Sequence, residues 1–313
     1  MAGIGVISNP NSRMNRRRPV ICEELKLVLG PHGVVRETNT LGEIEGVVRE
    51  LVDRDIEILA LNGGDGTLHH TLTRAIPIYQ AAGKPLPLVV LLCGGTMNTI
   101  SRSFRGMTGS PASILDRVVS KFRKQDRFAI VERHTLEING QEHCFIFGLG
   151  LAASFLKLYY EGETTGPMKA VYVLGRAVLS TLRWGPYARR IFARVRARVV
   201  GDENPSPYEN YTVIMASTVS EIGLGFSPLG RTLAVPGKAQ IIAAAINPLN
   251  IVAQLPAIYF GTKIKGAVYD ELVRTFTIDL KDDGYDFMLD GEVKPAPRHI
   301  TVRVGPLIQF IKY

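Results

Sequence analysis

What this chain lacks narrows it first. Only three of its 313 residues are cysteine. Cys22, Cys93 and Cys144 are too widely spaced for a metal cage or a redox pair, and read as reduced structural thiols of a cytosolic protein. The six histidines are scattered apart from His69-His70, so zinc spacing is absent. Gly-x-x-x-x-Gly-Lys-Ser/Thr does not occur, which excludes a Walker-type phosphate loop, and a Ser nucleophile elbow is missing too. There is no internal repeat and no low-complexity segment. Met1 to Ser8 lacks the basic start and cleavage site of a secretory signal and reads as a first strand. One uncharged stretch, Ala239 to Thr262, is long enough to span a bilayer. Asn247, Pro248, Asn250, Gln254 and Pro256 would break and polarise such a span, so it reads as a buried strand, a turn and a helix with one apolar face.

What is present is the composition of an ordinary globular protein, 46% hydrophobic and 21% charged, long enough for one large domain or two ordinary ones. The net charge of +8 suits an anionic partner. The stretch that organises the chain is Leu59-Ala-Leu-Asn-Gly-Gly-Asp-Gly-Thr-Leu68. A strand that stops at glycines and restarts as a helix presents backbone N–H groups to phosphate. Asp65 is out of place among such amides unless it caps the helix, holds a metal or handles a proton.

Strand–helix alternation precedes this turn. Gly3 to Ser8, Val34 to Thr38 and Ile56 to Leu61 read as strands, and Val20 to Leu29 and Gly42 to Asp53 as helices, which implies a mostly parallel sheet covered on both faces. The first strand runs into Asn9-Pro10-Asn11-Ser12-Arg13, strong turn chemistry, and then Arg16 to Arg18. A helix from Leu68 should end or kink at Pro77. Leu86 to Cys93 is a buried parallel strand ending in Gly94-Gly95-Thr96-Met97-Asn98-Thr99, a second glycine turn that could lie beside the first. Near Asp126 the grammar changes to antiparallel alternation with an Asn139-Gly140 hairpin, which divides the chain into domains 1–126 and 127–313. Leu149 to Glu161, Lys169 to Leu182 and Leu249 to Phe260 read as helices in the second domain. Arg190 to Val200 reads as a strand carrying Arg190, Arg194, Arg196 and Arg198 on one face. The closing strand near 299–313 packs on the second domain or returns to the first.

Late in the chain Asp290-Gly291-Glu292 follows Asp282, Asp283 and Asp286. One of its carboxylates could hold Mg²⁺ while the other takes a proton from an attacking hydroxyl, and the plain alternative is a β-turn with solvated acids. The Arg face could rest on anionic lipid headgroups instead of solvent, and the helices at Leu149–Tyr160 and 249–260 could line an apolar cleft instead of forming core.

Taken in order, a strand into Asn-Pro-x-Ser, then Gly-Gly-Asp-Gly-Thr, then Gly-Thr-x-Asn, then Asp-Gly-Glu resembles the diacylglycerol kinase catalytic-domain family. That family includes bacterial lipid kinases, sphingosine kinases and ceramide kinases. Phe147 to Gly150 and Lys169 to Gly175 look like its middle segment. The resemblance implies an α/β nucleotide-binding domain (NAD kinase/diacylglycerol kinase-like) followed by an antiparallel β-sandwich, with ATP and lipid meeting in a cleft. It puts Asn9, Pro10, Asn11, Ser12, Arg13, Thr38, Gly63, Gly64, Asp65, Gly66, Thr67, Leu68, His69, Gly95, Thr96 and Asn98 on the nucleotide. Glu292 takes the general-base position with Asp65 as the other catalytic candidate, Asp290 beside them, and Mg²⁺ on Asp65 and Asp290.

The implied activity is ATP-dependent phosphoryl transfer to a hydroxyl of a diacylglycerol, sphingoid base or ceramide, by a cytoplasmic protein peripherally associated with the membrane that presents its substrate. No nucleic acid partner is expected, and an oligomer is compatible with the sequence. The departures are Arg13, Leu68-His69-His70, Cys93, Thr99 and Ala234 to Gln240, where Lys238 replaces acids that such chains use for a structural Mg²⁺. Thr99 and His69 lean toward the sphingosine or ceramide kinase branch. Alternatives are an NAD kinase-like or phosphofructokinase-like enzyme, or a silent lipid- or nucleotide-binding regulator.

Overall fold

The computed structural model describes residues 3–95, 98–162, 166–182, 185–202 and 204–312. These form two compact units, residues 1–133 with 306–313, and residues 134–305.

The first unit alternates strand and helix. In chain order it holds β1 (Ile4–Ser8), α1 (Arg13–Arg16), α2 (Ile21–Leu29), β2 (Gly33–Glu37), α3 (Leu41–Asp53), β3 (Ile58–Asn62), α4 (Asp65–Ala81), β4 (Leu88–Leu91), α5 (Thr99–Ser103) and α6 (Pro111–Lys124). The strands pair in parallel, β4 to β3, β3 to β1 and β1 to β2. Both faces are covered, so these strands are apolar without interruption. Ile4, Val6, Ile58, Ala60 and Val90 point to a core shared with α2 and α6, and the alternate residues point to α3 and α4. Gly5 lies on that second face, where a Cβ would come within 2.7 Å of the Leu51 side chain; a glycine there lets α3 pack closely. Pro77 sits inside α4 without ending it. Leu72, Ala75, Ile76 and Tyr79 are buried around it, and that packing outweighs the roughly 3 kcal/mol cost of an internal proline.

The second unit is antiparallel. The chain enters it within β5 (Ala129–Ile138) and continues through β6 (Glu142–Cys144), β7 (Ile146–Gly150), α7 (Leu151–Tyr160), α8 (Pro167–Leu182) and α9 (Pro186–Ile191). Next come β8 (Val195–Gly201), β9 (Asn204–Pro205), β10 (Asn210–Tyr211), β11 (Val213–Ser217), β12 (Ala239–Ala244), α10 (Pro248–Ala253) and α11 (Leu255–Tyr259). It closes with β13 (Val268–Val273), β14 (Thr275–Leu280), β15 (Asp286–Leu289), β16 (Glu292–Pro295) and β17 (His299–Lys312). One sheet runs β13-β12-β11-β7-β15-β16. It packs on β8, β14 and the first half of β17 through a shared core that includes Phe147, Ile214, Ile241, Val199, Phe276 and Ile300, the interdigitation of a β-sandwich. Ile242 and Ala244 face the other way, into a helical layer with Val173, Ala177, Ile191 and Ile251, which is why every residue of β12 is buried. The last residues of β17 belong to the first unit, where Phe310 pairs in parallel with Val89 of β4. The fold is thus an α/β unit with a parallel sheet joined to an antiparallel sandwich.

Two local expectations are corrected. The strand expected from Arg190 begins only at Val195, and Arg190 belongs to α9; Pro186 suits a first helical position and the terminal Arg189 and Arg190 suit a helix C-terminus. The helix expected over 249–260 is two short ones divided at Gln254. The uncharged 239–262 stretch resolves into β12 and those helices, and among the described residues no helix is long and apolar enough to cross a membrane.

Candidate active site

The carboxyl ends of β1, β3 and β4 converge in the first unit, tied by asparagines. Asn9 accepts from the Asn11 amide at 2.9 Å and donates to Thr67 Oγ1 at 3.0 Å. Asn15 donates to the Asn9 carbonyl at 2.8 Å and the Asn62 carbonyl at 3.2 Å, and Asn62 donates to Ser8 Oγ at 2.9 Å. Ser12 Oγ donates to the Gly94 carbonyl at 2.6 Å, and Asn11 reaches the Asn39 carbonyl. Asn15 and Asn62 are buried and were not singled out from sequence. The signal for Asn62 was a polar residue closing an otherwise apolar strand.

The two glycine turns touch. A Cβ on Gly95 would lie 2.3 Å from the Gly64 Cα, and one on Gly94 would lie 2.4 Å from Asn62 Oδ1. A side chain at either position would force the turns apart. Gly63 is equally constrained, with Thr67 Oγ1 at 2.2 Å from a Cβ. Gly64 caps the seventeen-residue α4, so the first amides of a long helix emerge where side chains are missing. A small recess here is lined by Gly63, Gly64, Asp65, Asn98 and Ser101, with Leu61, Leu68 and Leu91 behind.

Asp65 bridges the two turns. Its Oδ2 accepts from the Thr99 amide at 2.8 Å and its Oδ1 from the Ile100 amide at 3.1 Å, so it neutralises the amides that open α5. Asn98 before them is left-handed at φ 48°, a conformation asparagine tolerates, and its side chain donates to the Gly95 carbonyl. Burial pushes the Asp65 carboxyl up from its ordinary range, and the two amides pull the other way. Cys93 is left-handed at φ 57°, an angle that the proline implied there by the resemblance cannot adopt.

The other expected nucleotide residues divide by exposure. Asn9, Pro10, Ser12, Arg13 and Gly66 are half-buried and Asn11 is exposed. Thr38, Thr67, Leu68 and His69 are buried, His69 edge-to-face with His70. Thr96 lies outside the described residues.

In the second unit Asp290 sits in the left-handed turn between β15 and β16, φ 47°. It is 5% exposed. Its Oδ1 accepts from the Phe145 and Ile146 amides, both at 2.8 Å, and its Oδ2 from Phe145 at 3.0 Å. Tyr160 donates to the Gly291 carbonyl at 3.0 Å. Glu292, two residues on, is half-buried at the start of β16. The preceding acids are paired: Asp282 with Arg196, Asp283 with Arg298, Asp286 with Lys157. Arg196 and Arg198 sit on the exposed face of β8 beside Glu209 and Asp282, so acids share that face with the arginines. Lys238 donates to the Leu272 carbonyl at 3.0 Å and lies 3.6 Å from Asp202.

The donor set in the first unit fits the phosphates of ATP: long-helix amides, two touching glycine turns and a half-buried Arg13. A protein-held Mg²⁺ does not fit as well. Asp65 and Asp290 each spend both oxygens on backbone amides, and among the described residues no three His, Cys, Asp or Glu gather in a metal-binding group.

Residues 3–129 match the model of the diacylglycerol kinase catalytic domain. No curated protein matches the chain in sequence. Three solved structures from Bacillus anthracis str. Sterne, one described as a diacylglycerol kinase and two as candidate diacylglycerol kinases, share its fold at TM-scores of 0.66, 0.67 and 0.69. Each is 15% identical over 99% of this chain and 97% of its own. Motifs, turn geometry and this match agree, and residues 3–129 are similar to the diacylglycerol kinase catalytic domain, the family that the sequence resembles.

Proposed function

We propose that the protein is an ATP-dependent lipid kinase that transfers the γ-phosphoryl group to a hydroxyl of a diacylglycerol, sphingoid base or ceramide. The observation that carries this reading is the contact between the two glycine turns at the mouth of a parallel sheet, fixed by Asp65, within the matched domain. Bound ATP with its accompanying Mg²⁺ supplies the phosphoryl group and neutralises its oxygens. The chain's own amides at the start of α4 bind and orient the phosphates and offset charge developing on them. Asp65 acts as a positioning residue that keeps the second turn against the first. Glu292 takes the proton as the lipid hydroxyl oxygen bonds to the γ-phosphorus and the bond to the ADP oxygen breaks.

The test is transfer of label from γ-labelled ATP to a panel of detergent-dispersed lipids, NAD and sugar phosphates. Label in a lipid, lost with Glu292→Ala, supports the reading. Label only in NAD or a sugar phosphate overturns it, and nucleotide binding without any transfer returns the regulator alternative.

A further inference from the structure

The helical layer of the second unit carries an apolar face that its own core does not use. On α8, Ala170, Val173, Ala177 and Thr181 are buried. Met168 (81% exposed), Val171, Tyr172 and Leu179 (68% exposed) lie on the opposite side. At helical pitch these four, with Gly175, fall within an arc of about 100°. Exposed apolar residues occur singly on most proteins; four along one helix face form a patch that calls for a partner. The patch extends to neighbouring helices. α10 packs against α8 and leads into α11; Leu249 of α10 and Phe260 (75% exposed) at the end of α11 are also uncovered.

Charge selects among occupants. Residues 151–191 contain six Lys or Arg and two Glu, and residues 244–267 contain two Lys and no acid. Lys169 and Arg176 flank the α8 stripe on one side at helical pitch. Both cationic groups rest at aromatic rings along that edge, Lys169 Nζ 6.0 Å from the Tyr172 ring centroid and Arg176 Cζ 4.5 Å from the Tyr187 ring centroid, and Lys169 also donates to the Glu161 carbonyl. Arg189 is exposed nearby on α9, which packs on α8. An apolar stripe edged by tyrosines and cations is the surface chemistry of a helix lying in a membrane interface.

We propose that this helical face docks on an anionic lipid bilayer, Met168, Val171, Tyr172 and Leu179 entering the interfacial layer and Lys169, Arg176 and Arg189 meeting headgroup phosphates. The proposal places bilayer contact here and not on the β8 arginine face, where acids sit among the cations. It goes beyond phosphoryl transfer and stands or falls without it.

The experiment is sedimentation of the full chain, without nucleotide, with vesicles of phosphatidylcholine alone or mixed equally with phosphatidylglycerol. Wild type should bind the mixed vesicles more tightly, increasingly so at low salt. Met168→Glu with Leu179→Glu should lower that binding by roughly tenfold or more. Arg176→Gln with Arg189→Gln should lower it less and flatten the salt dependence. Leu27→Glu, at an exposed apolar site in the first unit (83% exposed), should bind as wild type. All substituted positions are exposed, and thermal melting of each variant verifies folding. Equal binding by wild type and the Met168/Leu179 variant overturns the proposal, as does no binding to either vesicle. It is also overturned if lipid-free wild type is a dimer that the Met168/Leu179 variant dissociates, which would assign the face to a second copy. Kinase activity on detergent-dispersed lipid needs no bilayer, so its loss or retention reports on the proposed function separately.

Discussion

Asp65 and Asp290 occupy similar sequence settings, an acid before a glycine at the end of an apolar strand, and both spend their carboxylates on backbone amides. What they hold differs. Asp65 is half-buried and joins two turns distant in sequence, so its bonds set the shape of a surface where phosphate fits. Asp290 is almost fully buried and ties its turn to the start of β7, so its bonds set the sandwich. In the proposed function the acid that acts at this turn is Glu292, which is half-buried. Identical side chains thus serve a site in one place and a fold in the other, and the deciding quantity is which backbone the carboxylate reaches.

That contrast can be broken at several points. Glu292→Gln should have the largest effect, lowering kcat by about 10²–10⁴-fold while shifting stability by no more than about 0.5 kcal/mol; steady-state kinetics and a denaturant titration check both. A comparable loss from Asp290→Asn with unaltered stability would reverse the roles assigned to the two acids. Asp290→Ala strands the Phe145 and Ile146 amides and should cost roughly 3 kcal/mol in urea unfolding. Asp290→Asn, which keeps one acceptor, should cost less.

Gly95→Ala probes the other turn. Its Cβ would meet the Gly64 backbone at 2.3 Å, and separating the turns should cost about 1–3 kcal/mol of stability. Isothermal titration should show weaker nucleotide binding. Unchanged binding and stability would mean that contact between the turns is dispensable.

The smallest effect is read by pH. Burial raises Asp65 above its unfolded value, so its protonated form is favoured by folding. Its contribution to stability is fully present below the ordinary carboxylate range and is lost as pH rises through the raised value. Asp65→Asn cannot titrate, so the stability difference between variant and wild type should vary across that window. A pH-independent difference would assign the whole effect of the variant to lost hydrogen bonds. If Asp65 were the base, the variant would also remove the acid limb of the kcat profile; a positioning role leaves that limb in place.

Much of the first unit was legible because parallel strands buried on both faces are continuous apolar runs, and glycine turns at their ends are local signals. The second unit was less so. β13 was missed because Asp270 and Glu271 interrupt its alternation, yet Asp270 is satisfied across the sheet by Gln240 and Arg231. Arg190 reads as a strand residue because it continues the alternation of Arg194, Arg196 and Arg198, while Pro186 four residues before it starts a helix that includes it. Pro77 shows the opposite error, a correct local rule overridden by burial.

By itself the sequence determined the order of the elements, the two glycine turns, the change from parallel to antiparallel grammar and the family resemblance, all of which rest on short-range pattern and backbone stereochemistry. Only the tertiary structure decided where each acid's oxygens point, that Gly95 and Gly64 touch, and which side of α8 is left uncovered. Those depend on which distant amides and side chains meet, and hydrogen-bond partners across 34 or 145 positions of chain leave no local trace in the residues that make them.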